Sequence, residues 1–258
     1  MLYLFLTFVV LLLIIMGTRG LTLLFGLGIN VVSVLALLIL IADGFNILIT
    51  TGIIAMVILV VAIYMNVDNG KTASTAFKTS LLIMVVILLI TVPLEFWANA
   101  QGLAAENQDE LESFSLAAGI SYPQLAISII VINSLGVISE TSVAITSGLN
   151  EIVENKPTLT PTEIFNDGFS VGNKILNTQT NTLLFNFFSS TFPLFFVIHS
   201  LGYGVGEIVN DKLVVAEVLT TLICTIGVIL TVPITSYLVY RGSKKVTAKY
   251  NFVTVVNY

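Results

Sequence analysis

Apolar runs of about twenty residues alternate with short polar breaks along almost the whole chain. Read by length and apolar continuity, seven stretches predict membrane-crossing helices: 1–17, 21–42, 45–66, 79–98, 124–148, 176–200 and 213–240. The first is barely long enough to span. The break at Asp43-Gly44 predicts either a tight turn between two helices or a kink in one longer helix. Gly44 suits the turn, because glycine tolerates a positive φ. Pro93, Pro193 and Pro233 fall inside apolar runs, and each leaves a carbonyl without its usual helical partner. The predicted fold is therefore all-α: a polytopic transmembrane bundle over residues 1–241, followed by a tail at 242–258.

The longest inner break, 150–175, has a pattern of its own. Thr160-Pro161-Thr162-Glu163 reads as a helix start, with Thr160 as N-cap, Pro161 in the first turn and Glu163 closing a capping box. Ile164, Phe165 and Phe169 follow at roughly helical spacing. Gly168 and Gly172 are expected to interrupt this short amphipathic helix before the sixth span.

Composition agrees with the pattern. Of 258 residues, 56% are hydrophobic and 10% charged. A soluble domain carries about 25% charged residues, so this chain cannot cover a globule with polar surface. Its solvent is the lipid bilayer. The formal net charge of −5 speaks against a nucleic-acid partner. Cys224, the single cysteine, reads as a small buried hydrophobe. The N-terminal run lacks the basic residues of a secretory signal and is expected to be a retained helix.

Charge does set an orientation. With the tail cytoplasmic, seven spans place Arg19, Lys71, Lys78, Lys156, Lys174, Arg241, Lys244, Lys245 and Lys249 inside and only Lys212 outside. That asymmetry obeys the positive-inside rule and puts the N-terminus outside. The acids Glu106, Asp109, Glu110 and Glu112 fall in the longest outer segment, which reads as a solvated connector.

Chemistry concentrates on the fifth and sixth spans. Glu140 lies ten residues before Asn150, about 15 Å into the bilayer at 1.5 Å per residue. Asn133, Glu140 and Ser147 fall near one face, and Thr141 flanks it. A carboxylate at that depth is a functional-site hypothesis by default; the competing account is an interhelical hydrogen-bond site. On the sixth span Asn177 and Asn181 are spaced i, i+4, as are Thr178 and Thr182, and Thr180 stands between them. Asn186, Ser189 and Ser190 carry polar character further in. Amides and hydroxyls both donate and accept, so they suit a polar solute as well as a neighbouring helix. Glu95, His199 and Glu217 lie near outer helix ends, but without metal-motif spacing. No phosphate-binding glycine loop, nucleophile elbow or zinc-protease signature is present in the sequence. Neither an enzyme, a cofactor nor a metal is expected.

These residues also carry a resemblance. Glu140, Ala144-Ile145, Ser147, Asn150-Glu151-Ile152, Pro157, Leu159-Thr160, Glu163-Ile164-Phe165, Gly168, Gly172, Ile175, Thr178 and Thr180-Asn181-Thr182-Leu183 resemble the pattern of YibE/F-like bacterial membrane proteins. The specific part covers about 136–184, and the chain is similar to the shorter, YibF-type member. Glu140 stands where that pattern usually has Asp, Asn173-Lys174 where a basic-acidic pair is usual, and Asn177 and Gln179 where Gly and Met are usual. These departures give Thr178, Thr180, Asn181 and Thr182 better support than Asn177. The resemblance implies a multi-pass protein of the bacterial cell membrane. It also implies a paralogous YibE-type partner, with a homo-oligomer as the other assembly, and it implies no chemistry.

The expected function is permease-like movement of a small polar solute or ion past Glu140, Asn133, Ser147, Thr178, Thr180, Asn181 and Thr182. The alternative is a structural or regulatory membrane component that binds a partner protein. A water-filled cavity lined by Glu140 and Asn181 would favour the first, and a dry contact between them the second.

Overall fold

The structure, a computed structural model, describes residues 2–98, 100, 121–156 and 159–256, with side chains to residue 242 except at Pro161. The outer acids at 106, 109, 110 and 112, and Pro157, lie outside the described residues. The described residues form helices: α1 Leu2–Met16, α2 Thr18–Ala42, α3 Ile47–Tyr64, α4 Gly70–Ala98, α5 Tyr122–Asn155, α6 Pro161–Leu201, α7 Val205–Asn210 and α8 Lys212–Val256. There is no strand among them.

Six of these helices are long and apolar enough to cross a membrane. The expectation of a seventh meets a shorter element. At 15 residues α1 reaches only about 22 Å, against a hydrocarbon core of about 30 Å. It ends at Gly17, whose φ of 57° breaks the helix, and folds back so that Leu12 packs on Gly20. Asp43-Gly44 is a turn and not a kink. Gly44 has a φ of 85°, and Asn46 caps α3 by accepting from the backbone N–H of Ile49 at 3.1 Å.

Three helices build the centre. α4, α5 and α8 pack on one another, α3 lies against α4 and α5, and α6 lies along α8 and α5. Isoleucines fill the middle, with Ile83, Ile87, Ile130, Ile138 and Ile223 in one buried cluster. Gly227 lets α8 approach closely there, since a Cβ would stand 2.8 Å from Ile138. Basic residues gather at one end. Arg19 donates to Asp68 at 2.6 Å, and Asn150 donates to Thr72 of α4 at 2.8 Å.

The inner segment differs from its expectation. Thr160 does cap α6, with Glu163 returning the bond to the Thr160 N–H at 2.7 Å. The helix does not stop at the glycines, however; it is continuous from Pro161 to Leu201. Gly168 and Gly172 are contact points. A Cβ at Gly168 would collide with Ser236, and one at Gly172 with Val232. The spacing that suggested interruption marks where α6 seats on α8. Pro93, Pro193 and Pro233 likewise lie within continuous helices.

Candidate functional site

Every fifth-span candidate lies on one stripe of α5. Asn133, Gly136, Glu140, Ala144 and Ser147 are exposed in succession. Their steps of three, four, four and three residues keep one helical face. The opposite face carries Ile138, Thr141, Ser142 and Ile145, all buried. Thr141 thus turns inward, away from the stripe it was expected to flank, and donates to the Val137 carbonyl at 2.7 Å.

The sixth-span candidates are also outward. Asn177, Thr178, Thr180, Asn181 and Thr182 are exposed. The side of α6 buried against its neighbours runs through Ile164, Leu183, Thr191 and Ile198. Two of the hydroxyls have local partners: Thr178 donates to the Lys174 carbonyl at 3.4 Å and Thr182 to that of Thr178 at 3.0 Å.

Contacts between α5 and α6 set their relative heights. At the basic end, a Cβ on Gly148 would meet Val171 at 3.3 Å, and one on Gly168 would meet Leu149 at 3.2 Å. Further along, Val137 packs on the cluster of Leu183, Cys224 and Val228. Glu140 lies between these two levels on α5, and Asn177 to Asn181 lie between them on α6. Among the described residues, Glu140 makes no ion pair and no hydrogen bond. The structure therefore brings the two sets of candidates to one height on adjacent helices. It does not join them in a hydrogen bond.

The third constellation does not assemble. Glu95 is only 2% exposed, with one carboxylate oxygen lacking a partner among the described residues. Glu217 instead accepts from Ser190 of α6 at 2.5 Å, and His199 is exposed. No group of three potential metal ligands occurs among the described residues.

Two features were missed in the sequence. One is a seam of buried hydroxyls between helices: Ser80 with Ser142 at 2.7 Å, and Thr51 donating to Ser128 at 2.8 Å. Its signal was present as small polar residues at helical spacing within apolar runs. The other is a cavity of about 240 Å³ lined by Phe8, Leu12, Leu27, Asn30, Val61 and Asn66. The side-chain amide oxygen of Asn30 is buried without a partner among the described residues. Nothing in the linear pattern signals it, because it arises where α1 folds back.

A family model described as YibE/F-like protein matches residues 4–245. No curated protein and no solved structure matches the chain. The family match covers nearly the whole length, well beyond the 136–184 stretch where the pattern was legible. The chain belongs to the YibE/F-like family.

Proposed function

We propose that this member of the YibE/F-like family is a subunit of a permease that moves a small polar solute or ion along the outward polar face of α5 and α6. The observation that carries this reading is Glu140, exposed on a membrane-depth face with no partner among the described residues. An acid is expensive in hydrocarbon, so protein, water or cargo has to meet it. Asn133 and Ser147 extend that face along α5. Thr178, Thr180, Asn181 and Thr182 supply donors and acceptors beside it.

In this reading the path runs between subunits, with a paralogous YibE-type protein or another copy of this chain as the second wall. The proposed topology has the C-terminus and the basic end in the cytoplasm. The N-terminus lies outside, with the 15-residue α1 as a seventh crossing over which the bilayer thins to match its length. The proposed location is the bacterial cell membrane. No covalent chemistry is assigned.

The second reading is a membrane component that only binds a partner. A polar face serves a protein contact equally well, and Glu140 and Asn181 are both exposed for one. Flux separates the two. Proteoliposomes holding the purified protein and a pH-sensitive dye would be challenged with gradients of H⁺, Na⁺ and K⁺, then with a panel of small polar solutes. The expected result is flux that falls on the order of tenfold in Glu140→Gln, equivalent to about 1.4 kcal/mol in a barrier. Flux unchanged by that substitution removes Glu140 from the path. No flux for any probe, with or without the paralogue, leaves the binding reading.

A further inference from the structure

The outward sides of α5 and α6 expose Asn133, Glu140, Asn177 and Asn181. In lipid, an amide or carboxylate without a protein or water partner is costly. The next question is which surface fits this one.

Height decides it. Two copies of one chain share an orientation in the membrane, so a twofold axis between them stands normal to the bilayer. Such an axis leaves every residue at its own depth. It also makes the interface isologous, so that a patch on α5 of one copy meets α6 of the other and the converse holds. Self-complementarity then requires acceptors on α5 at the same depth as donors on α6.

That condition is met. A Cβ on Gly148 would meet Val171 at 3.3 Å, which ties the two helices together at one level. Glu140 lies eight residues further from the basic end on α5, and Gln179 lies eight residues further on α6. Each is about 12 Å from the shared level at 1.5 Å per residue. Asn181 and Asn177 are exposed on either side of that height. Glu140 offers only acceptors when ionised, and each asparagine offers an amide donor.

Shape agrees with chemistry. Gly136 and Ala144 stand one turn to either side of Glu140 and are exposed. A Cβ at Gly136 would meet nothing within 4 Å. Small residues flanking a polar one let helices approach closely in a membrane.

We propose that a second copy of this chain covers the face, related by a twofold axis normal to the membrane. In that arrangement Glu140 of each α5 sits against the asparagine amides of the other copy's α6. The inference rests on the reading of this face as a functional wall, and it names the subunit that closes it.

The test is cross-linking in native membranes. Two differently tagged forms would be co-expressed in a Cys224→Ser background, one carrying Ala144→Cys and the other Asn177→Cys. Copper-phenanthroline and oxygen would take the electrons as the two thiols join. The expected product is a covalent dimer bearing both tags. A control pair carrying Ile53→Cys, on the exposed side of α3 at 61% exposure, is expected to give none. The proposal is overturned by absence of the two-tag product when both forms are in the membrane, by equal yield at Ile53, or by linkage only to another protein.

Unmodified protein in lipid nanodiscs provides a measurement independent of any substitution. Its expected mass is twice 27.8 kDa, and a single-chain mass overturns the proposal. The two readings fail separately. A single chain that still carries flux sinks this inference alone, whereas a dimer without flux sinks the permease reading alone.

Discussion

The two sides of α5 carry different kinds of polar group. The inward side holds Ser134, Ser139, Thr141 and Ser142, all buried. Their hydroxyls bond to carbonyls of their own helix: Ser134 to Ile130 at 2.5 Å, Ser139 to Gly136 at 2.9 Å and Ser142 to Ser139 at 3.0 Å. The outward side holds Asn133, Glu140 and Ser147. A hydroxyl satisfies itself against the preceding turn and so is cheap to bury in a membrane helix. A carboxylate only accepts, and the helix interior has no free N–H to give it. The inward groups are therefore compatible with packing alone, while Glu140 needs something beyond its own helix. The same contrast separates whole helices. In its most apolar window α5 is 56% buried, and α6 only 17%. α6 packs on α8 and α5 and leaves most of its remaining surface exposed among the described residues.

Three substitutions test this contrast. The largest expected effect is Gly172→Val, which forces a branched side chain into Val232 at the α6–α8 seam. Overpacking of this kind costs about 1–3 kcal/mol, read as a lower thermal midpoint in detergent. An unchanged midpoint would mean that α6 is not seated where the contact places it. Next is Ser142→Ala, which removes the bond to Ser80. Such interhelical pairs average about 0.6 kcal/mol in a membrane, so a small drop is expected. A loss several times larger would show that the inward hydroxyls do more than pack. The smallest effect on folding is expected for Glu140→Gln, within about 0.5 kcal/mol, because no contact among the described residues is lost. A large loss of stability there, in the isolated chain, would break the distinction between the two faces.

Much of the architecture was readable in advance. Apolar run length gave the six long helices α2 to α6 and α8 but not the six-residue α7, and the Thr160–Glu163 capping box appears as expected. Gly44 was legible as a turn because a left-handed φ is a local property. Gly168 and Gly172 were misread as breaks, since a glycine that ends a helix and one that admits a neighbour look alike in a sequence. The candidate residues of α5 and α6 share a height, which helix periodicity alone could not fix because it depends on how the two helices pack.

Sequence alone determined that the chain lives in lipid, where its helices lie and which polar residues fall on one stripe. These follow from local rules: hydrocarbon demands apolar length, and helical periodicity sets faces. Only the tertiary structure decided which way those faces point. It buried Thr141 and Glu95, folded α1 back on α2, and turned Glu140 outward. The direction of a face depends on which helices pack against it, and that choice is made by contacts between residues far apart in the chain.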